Sequence, residues 1–515
     1  MDIRVVRGDI TTFDGKAIVV NLFDGVTYPG GGTGAVDKAL GGTISRLIAD
    51  GDIRGKAGEI SVVHTLGKIP AARVVVLGLG KAEDFNIDNV RNLTANVARF
   101  LRNKGYGTAA TIAHGAGTGG LQADAVGRAI GEGVLLGLYR FTRHQKPEEE
   151  RRELESLVVL ENDAGRVDAL RRGLEAGVIL AEATNLARDM ANEPSNYLTP
   201  TEMAARAQAV ADQTGLQCEV LDTEQMVELG MGSLLGVAKG SAQPPKFIVM
   251  HYRGDPESES SVGLIGKGIT FDTGGISIKQ AAGMEEMKGD MTGGASVIAA
   301  LSAIARLKPR INVTGIVPAT ENMPGGNAIK PGDVLRAMNG TTIEVVNTDA
   351  EGRLILADGL SYARSLDLSP LIDIATLTGA ITTALGDVAM GVMGNDQLLI
   401  ERIIAAGKEE GEKVWQLPMF DEYREQIKSD VADIKNSGGR KAGSITAGFF
   451  LREFVGKTPW AHLDIAGVDI FDQEKGWIVK GSSGIPVRTL VQTVLSLAAE
   501  PSMDRPKVLA GQKGR

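Results

Sequence analysis

A chain of 515 residues, 43% hydrophobic and 23% charged, has the composition of an ordinary globular protein and is long enough for more than one core. Its net charge of −9 argues against whole-chain nucleic-acid binding, and its single cysteine, Cys218, excludes an internal disulfide framework and a cysteine-built zinc site. Its 67 glycines are roughly twice the average usage of about 7%, which points to tight turns and close backbone approaches.

The opening MDIRVVRGDI has no apolar signal stretch. Residues 1–162 alternate β-rich runs (IRVVRGD, KAIVVNLF, EISVVHTLG, RVVVLGLG, LESLVVLE) with helical ones (NVRNLTANVARFLRNKG, ADAVGRAIGEGVLLGLYRF). That pattern predicts an α/β domain. The charged stretch 143–155 reads as a solvated connection. A long helix is expected from Asp163 to the prolines Pro194 and Pro200, and 163–195 reads as a linker.

Residues 196–515 predict a larger α/β domain. KFIVMHY, SVGLIG, INVTGIVPA, TTIEVV and LIDIATLTG read as strands buried on both faces. GASVIAALSAIARLK, RLILADGLSYARSL, QLLIERIIAAGKEEGEKVW and ITAGFFLREFVG read as flanking helices. The most apolar window, 371–394, is broken by Asp373 and Asp387 and reads as a strand and a helix rather than a membrane span. A cytoplasmic location without membrane attachment is expected, and the tail 501–515 is expected to fray.

In such sheets ligands bind outside the carboxyl ends of strands. TTIEVV runs straight into NTDAEGR, so Asp349, Glu351 and Arg353 fall where a site is expected. An extended backbone there would turn all three to one side. Asn347, Asp349, Glu351, Gly352 and Asp358 roughly match a calcium loop, but a strand precedes them and the last position is Asp inside a helix, which removes that reading. GLIGKGIT (263–270) has glycine where a P-loop needs Ser or Thr. No His-Glu-x-x-His or Gly-x-Ser-x-Gly occurs. His462, Asp464 and Asp373 lie in apolar runs and are expected to be structural.

Residues 264–294 place Lys267, Asp272, Lys279 and Asp290 after a buried strand. Together with Asp349 and Glu351 this makes four carboxylates in two loop regions. Interior charges must be paired or bind metal. A pair of divalent cations is one solution, and ion pairing with Lys267, Lys279 and Arg353 is the other.

NTDAEGRL (347–354), GKGITFDTGG (266–275) and MKGDM (287–291) resemble the leucyl aminopeptidases of peptidase family M17. NEPSNYLTP, VPATENMPGGNAIKPGDVL, DIATLTGA, GGRKAGSITAGFFL and WAHLDIAG extend the likeness in order through the second unit. The glycine-rich stretch 20–42 resembles the macro-like N-terminal domain of that family.

The resemblance implies a macro-like α/β domain joined by a long helix to a catalytic α/β domain with a central mixed sheet flanked by helices. It implies two divalent ions, Mn²⁺ or Zn²⁺. Asp272 and Glu351 would bridge them, Lys267 and Asp290 would complete the tighter site, and Asp349 the exchangeable one. Lys279 and Arg353 would be catalytic, the latter holding a bicarbonate as general base. Met287, Thr376 and Gly379 would line the pocket for the substrate's first side chain, with Leu and Met preferred and others accepted. Ile485 stands where relatives often carry a basic residue before proline. Peptides are the implied substrates and a hexamer of two trimers the implied assembly. Two alternatives stand beside this: a DNA-binding role independent of catalysis, as in some relatives, which the acidic balance disfavours, and Cys-Gly dipeptidase activity by the same chemistry.

Overall fold

The computed structural model describes residues 1–117, 119–146 and 152–499. The expected frayed tail and part of the 143–155 connection lie outside these residues. Two compact units form: Met1–Asp189 with Ile470–Ser483, and Met190–Asp469 with the chain from Gly484 onward. Among the described residues no helix is long and apolar enough to cross a membrane.

In the first unit six strands lie in the spatial order Asp2–Arg7, Ser156–Glu161, Thr108–Ile112, Ala17–Phe23, Arg73–Gly80, Ile60–His64. All neighbours are parallel except the last pair. Adjacent residues of one strand enter different cores. Ala17 and Val19 pack with Val97, Leu101, Ile130, Leu170 and Leu174 from the helices Ile87–Asn103, Ala123–Leu138 and Ala164–Asn192. Ile18 and Val20 pack with Val36 of the helix Gly31–Ala39, Leu40 just after it, and Ile44 of Thr43–Ala49. This period-2 division is what a sheet covered on both faces requires, and it explains the unbroken apolar runs. Sequence reasoning passed over the strand Thr108–Ile112 and the helices Gly31–Ala39 and Thr43–Ala49. TAATI is short and mostly small, and neither helix has a side-chain cap at its glycine N-cap.

The second unit is built on a nine-stranded mixed sheet. The path runs Val414–Gln416, Met390–Gly394, Trp460–Asp464, Leu371–Ala375, Ser261–Gly266, Asn312–Asn322, Lys246–Arg253, Gln217–Leu221, and Gly268–Asp272 also pairs with Asn312–Asn322. From Trp460–Asp464 to Asn312–Asn322 the neighbours are parallel. Leu371–Ala375 and Trp460–Asp464 are buried at every residue. The helices Thr292–Leu307 and Glu351–Ser365 pack on this sheet, and the first is buried from Thr292 to Ala305. The two-domain α/β class with mixed sheets and flanking helices is therefore as expected.

One strand is corrected. TTIEVV does not join the main sheet. Only Thr342–Glu344 is extended, in a three-stranded sheet with Val334–Arg336 and Ile434–Lys435. Ile343 is the one fully buried residue of the three, and Val346 is exposed, so the run lacks two covered faces.

Asp358, the would-be last calcium position, has a structural task. Its buried carboxylate accepts from Leu234 N (2.7 Å) and Met338 N (2.8 Å). Leu234 lies in the first turn of Gly232–Ala238, whose own N-cap residue supplies no side-chain bond, so Asp358 caps that helix from a distance. Asp358→Ala leaves two buried N–H groups without this partner. A loss of about 2–4 kcal/mol is expected, read as a lower melting temperature with calcium making no difference.

Candidate active site

Lys267 occupies the single position between the strands Ser261–Gly266 and Gly268–Asp272. Its backbone is pinned on both sides: its N–H donates to Ile374 O (2.9 Å), and its carbonyl accepts from Gly294 N (2.7 Å). The chain then reaches Asp272 and turns sharply. Gly274 N donates to Asp272 Oδ1 (2.8 Å). Gly274 has φ +84°, and a Cβ there would sit 2.8 Å from Asp349 Oδ1, so glycine is needed for conformation and for space. Asp290 follows the 3-10 segment Met284–Gly289 and stands one residue before Met291, the N-cap of the helix Thr292–Leu307.

The NTDAEGR segment is not extended as expected. Thr348 and Asp349 form a turn, and Glu351 is the first residue of the helix Glu351–Ser365. The helix is buried at every residue from Glu351 to Ser361, Leu354, Ile355, Leu356 and Leu360 among them, and that apolar burial outweighs the two-residue alternation of charge. Asp349, Glu351 and Arg353 still line one cavity. A turn followed by a helix's first turn delivers what a strand was expected to deliver.

Asp272, Asp290 and Glu351 are buried, and each offers an oxygen within 4.8 Å of the others. Lys267 Nζ lies 2.8 Å from Asp290 and 2.9 Å from Glu351 Oε1, and donates to Thr376 O (2.9 Å). Lys279 Nζ lies 2.8 Å from Asp272 Oδ2 and 2.5 Å from Asp349 Oδ1. Asn322 Nδ2 donates to Asp272 Oδ1 (2.8 Å) and Thr348 O (3.0 Å), and reaches Glu351 Oε2 at 3.4 Å. Thr376 Oγ1 donates to Asp290 Oδ1 (2.8 Å). Gly352 makes the packing possible, because a Cβ there would lie 2.6–2.8 Å from Lys267 Cε, Cδ and Nζ.

The electrostatics are those of a crowded, desolvated cluster. Burial pushes Asp290 and Glu351 above the usual carboxylate range; neighbouring carboxylates add to this and Lys267 opposes it. Burial likewise raises Asp349, against the pull of Lys279. Burial would lower Lys267 and Lys279, but the surrounding carboxylates outweigh it and hold both protonated. Arg353 pairs with no carboxylate within 4.0 Å among the described residues. It donates through Nη1 to Asn436 O (2.9 Å), and its buried Nε has no partner. Burial lowers it to about 10, opposed by Glu351 and Asp464.

The expected ion pairing thus exists for two of the three cations and leaves the acids in excess. The cavity of about 360 Å³ also carries Glu286 and Asp469, giving six carboxylates against three cations. Oxygen donors with one amine suit a divalent cation such as Mn²⁺ or Zn²⁺, and such a charge would offset the excess. For the Lys267 amine to ligate one, it would have to give up its proton.

All ten residues singled out in the sequence line this cavity: Lys267, Asp272, Lys279, Met287, Asp290, Asp349, Glu351, Arg353, Thr376 and Gly379. His462, Asp373 and Asp464 are interior supports. Asp373 accepts from Trp460 Nε1 (2.6 Å) and lies 2.6 Å from His462 Nδ1, while Asp464 accepts from Leu377 N (3.2 Å) and Thr378 Oγ1 (2.6 Å), holding the turn that bears Thr376 and Gly379. Sequence reasoning did not single out Asn322 or Asn436. Asn322 had a signal, since it ends a long apolar strand inside the VPATENMPGG motif. Asn436 had none.

The profile of the cytosol aminopeptidase family's catalytic domain matches residues 185–491, and that of its N-terminal domain matches 19–148. A probable cytosol aminopeptidase of Alkaliphilus metalliredigens is 46% identical over 499 residues, covering 96% of this chain and all of the relative. One from Solibacter usitatus is 46% identical over 500 residues, 97% of this chain and all of the relative. Among solved structures, a mutant of tomato leucine aminopeptidase superposes with a TM-score of 0.85 at 33% identity, covering 96% of each chain. The bottromycin maturation enzyme BotP in complex with Mn gives 0.83 at 34% identity, over 94% of this chain and all of that one. With both domains present in order over nearly its whole length, the chain belongs to the cytosol aminopeptidase family and is a hydrolase of the aminopeptidase type.

Proposed function

We propose that the chain releases N-terminal residues from peptides at the Lys267–Arg353 cavity with the aid of two divalent ions. The observation that carries this is the convergence of buried Asp272, Asp290 and Glu351 with Lys267 threaded between them. Asp272 and Glu351 would bridge the ions, Lys267 and Asp290 would complete the tighter site, and Asp349 the exchangeable one. When bound, such a pair activates a water and polarises the scissile carbonyl.

The protein's own groups supply the rest. Lys279 keeps its proton beside Asp272 and Asp349 and is half-buried at the cavity, so its ammonium is available to an oxyanion forming there. The partnerless Nε of Arg353 fits the edge of a planar anion, and bicarbonate held there would serve as general base. That assignment accounts for chemistry at a cavity without histidine. Asp290, with its acceptor oxygens beside Thr376, suits the free α-amine of a peptide's first residue, which would restrict cleavage to the N-terminus. Met287, Thr376 and Gly379 would receive that residue's side chain, and an adaptable methionine wall favours Leu and Met with broad tolerance. A hexamer of two trimers and a cytoplasmic location belong to the same proposal.

Removal of metal by a chelator should abolish hydrolysis of leucine p-nitroanilide, and Mn²⁺ or Zn²⁺ should restore it; activity that survives complete removal rules the mechanism out. Asp349→Asn should lower kcat/KM by about 100-fold or more without lowering the melting temperature, because the group is a third exposed and sits in a turn. Gly352→Ala should displace the Lys267 amine and cost a similar factor; activity near that of the unmodified chain would detach Lys267 from the reaction.

A further inference from the structure

Asn436 carries no charge and does not line the cavity, yet it holds the chain segment that carries two of the proposed site groups. It follows the strand Ile434–Lys435, and its own N–H extends that ladder to Glu344 O (2.9 Å). Its side chain is fully buried. Oδ1 accepts from Val346 N (2.9 Å) and Asn347 N (3.3 Å). Nδ2 donates to Asn347 O (2.7 Å) and Ala350 O (3.4 Å). One carboxamide therefore uses both N–H groups and both acceptor directions on the turn from Val346 to Ala350, and Asp349 sits inside that span. The Asn436 carbonyl accepts from Arg353 Nη1 (2.9 Å).

Local structure alone does not fix this junction. Asn347 Oδ1 accepts from Asp349 N (3.0 Å), which closes the turn but does not attach it to the fold. The helix Glu351–Ser365 begins after Ala350, which offers no side-chain cap. Thr348 attaches the turn to Gly274 O (2.6 Å) and Ser277 N (2.8 Å). Ser277 Oγ accepts from Thr348 N (3.1 Å) and Asn322 Nδ2 donates to Thr348 O (3.0 Å), so these attachments all fall on Thr348. Among the described residues, Asn436 is the one long-range side chain bonded to the backbone of Val346, Asn347 and Ala350 on either side of it. Arg353 donates from Nη1 to Asn436 O, while its Nε has no partner.

We propose that Asn436 is the positioning residue of the reaction: its amide sets Asp349 and its carbonyl sets the Arg353 guanidinium. This rests on the roles proposed above for those two residues. Ligands hold a cation well only when outer partners fix their direction, and loss of such a partner typically costs about 10–100-fold in metal affinity or activity.

The test uses the full chain with Asn436→Ala, Asn436→Asp and, as control, Asp433→Ala. Asp433 braces the same pair of strands, accepting from Thr342 N (2.8 Å) and Thr342 Oγ1 (2.7 Å), and bonds no residue of the turn. Three quantities are read: the Mn²⁺ midpoint of the weaker site by competition with a fluorescent chelator, kcat and KM on leucine p-nitroanilide at saturating Mn²⁺, and the melting temperature. Asn436→Ala should raise the midpoint about tenfold and lower kcat about 10–100-fold, with KM within about threefold. Asp433→Ala should leave the midpoint and kcat unchanged. Asn436→Asp keeps size and acceptors but loses the donors to Asn347 and Ala350, and should behave like the alanine variant; it decides the matter if the alanine variant does not fold. A midpoint and kcat like those of the unmodified chain, or an equal loss in Asp433→Ala, overturns the proposal. An unmodified chain that binds Mn²⁺ without hydrolysing the substrate counts against the proposed reaction, while the midpoints still decide the role of Asn436.

Discussion

Lys267 between Asp290 and Glu351 is the contact around which the catalytic unit is arranged. Its ammonium is almost fully buried, as are both carboxylates. Removing one partner of a buried pair strands a charge at a cost of about 3–5 kcal/mol, so the surroundings must hold all three in register. The fold does so with backbone. Lys267 is bonded through its N–H to one parallel strand and through its carbonyl to the first turn of a buried helix. Glycine at 352 clears the path of its side chain. Asn322 then ties Asp272 to Thr348, and so ties the first acidic loop to the second.

That dependence explains why the site sits at the carboxyl ends of parallel strands. Ser261–Gly266 and Leu371–Ala375 end side by side, and the chain leaving them supplies Lys267 and Thr376. The helices Thr292–Leu307 and Glu351–Ser365 begin at the same end, next to Asp290 and at Glu351. The location was legible in the sequence because apolar runs that stop at charged loops mark strand ends. The strand responsible was not. TTIEVV has the composition of a core strand, yet the main sheet was already complete without it, and its neighbours made it a short ladder at the margin.

The ten charged and pocket residues were legible because a charge or a motif marks each of them. Two-residue spacing of Asp349, Glu351 and Arg353 suggested an extended backbone, while the apolar spacing just downstream asked for a helix. The helix prevailed because it buries Leu354, Ile355 and Leu360, and burying three such side chains outweighs a local preference among polar residues. The amides were harder to see. Asn436 acts on residues 86–90 positions away, and an uncharged polar residue in a loop shows neither period nor charge. Such contacts exist only once the fold has formed.

The same chemistry bears on how the chain folds. A buried cluster made of carboxylates alone would repel itself and would need a metal ion before its loops could pack. Here Lys267 and Lys279 each face two of the four central carboxylates, and both keep their protons there. The cations that let the acids be buried belong to the chain itself. On the reading proposed above, a divalent cation would have to displace these ammonium groups from the carboxylates. That exchange would cost the proton on Lys267 and the pairing of Lys279 with Asp272 and Asp349. Once displaced from those carboxylates, the Lys279 ammonium would stand at the cavity wall with donors to spare, where the proposed reaction needs an oxyanion stabiliser.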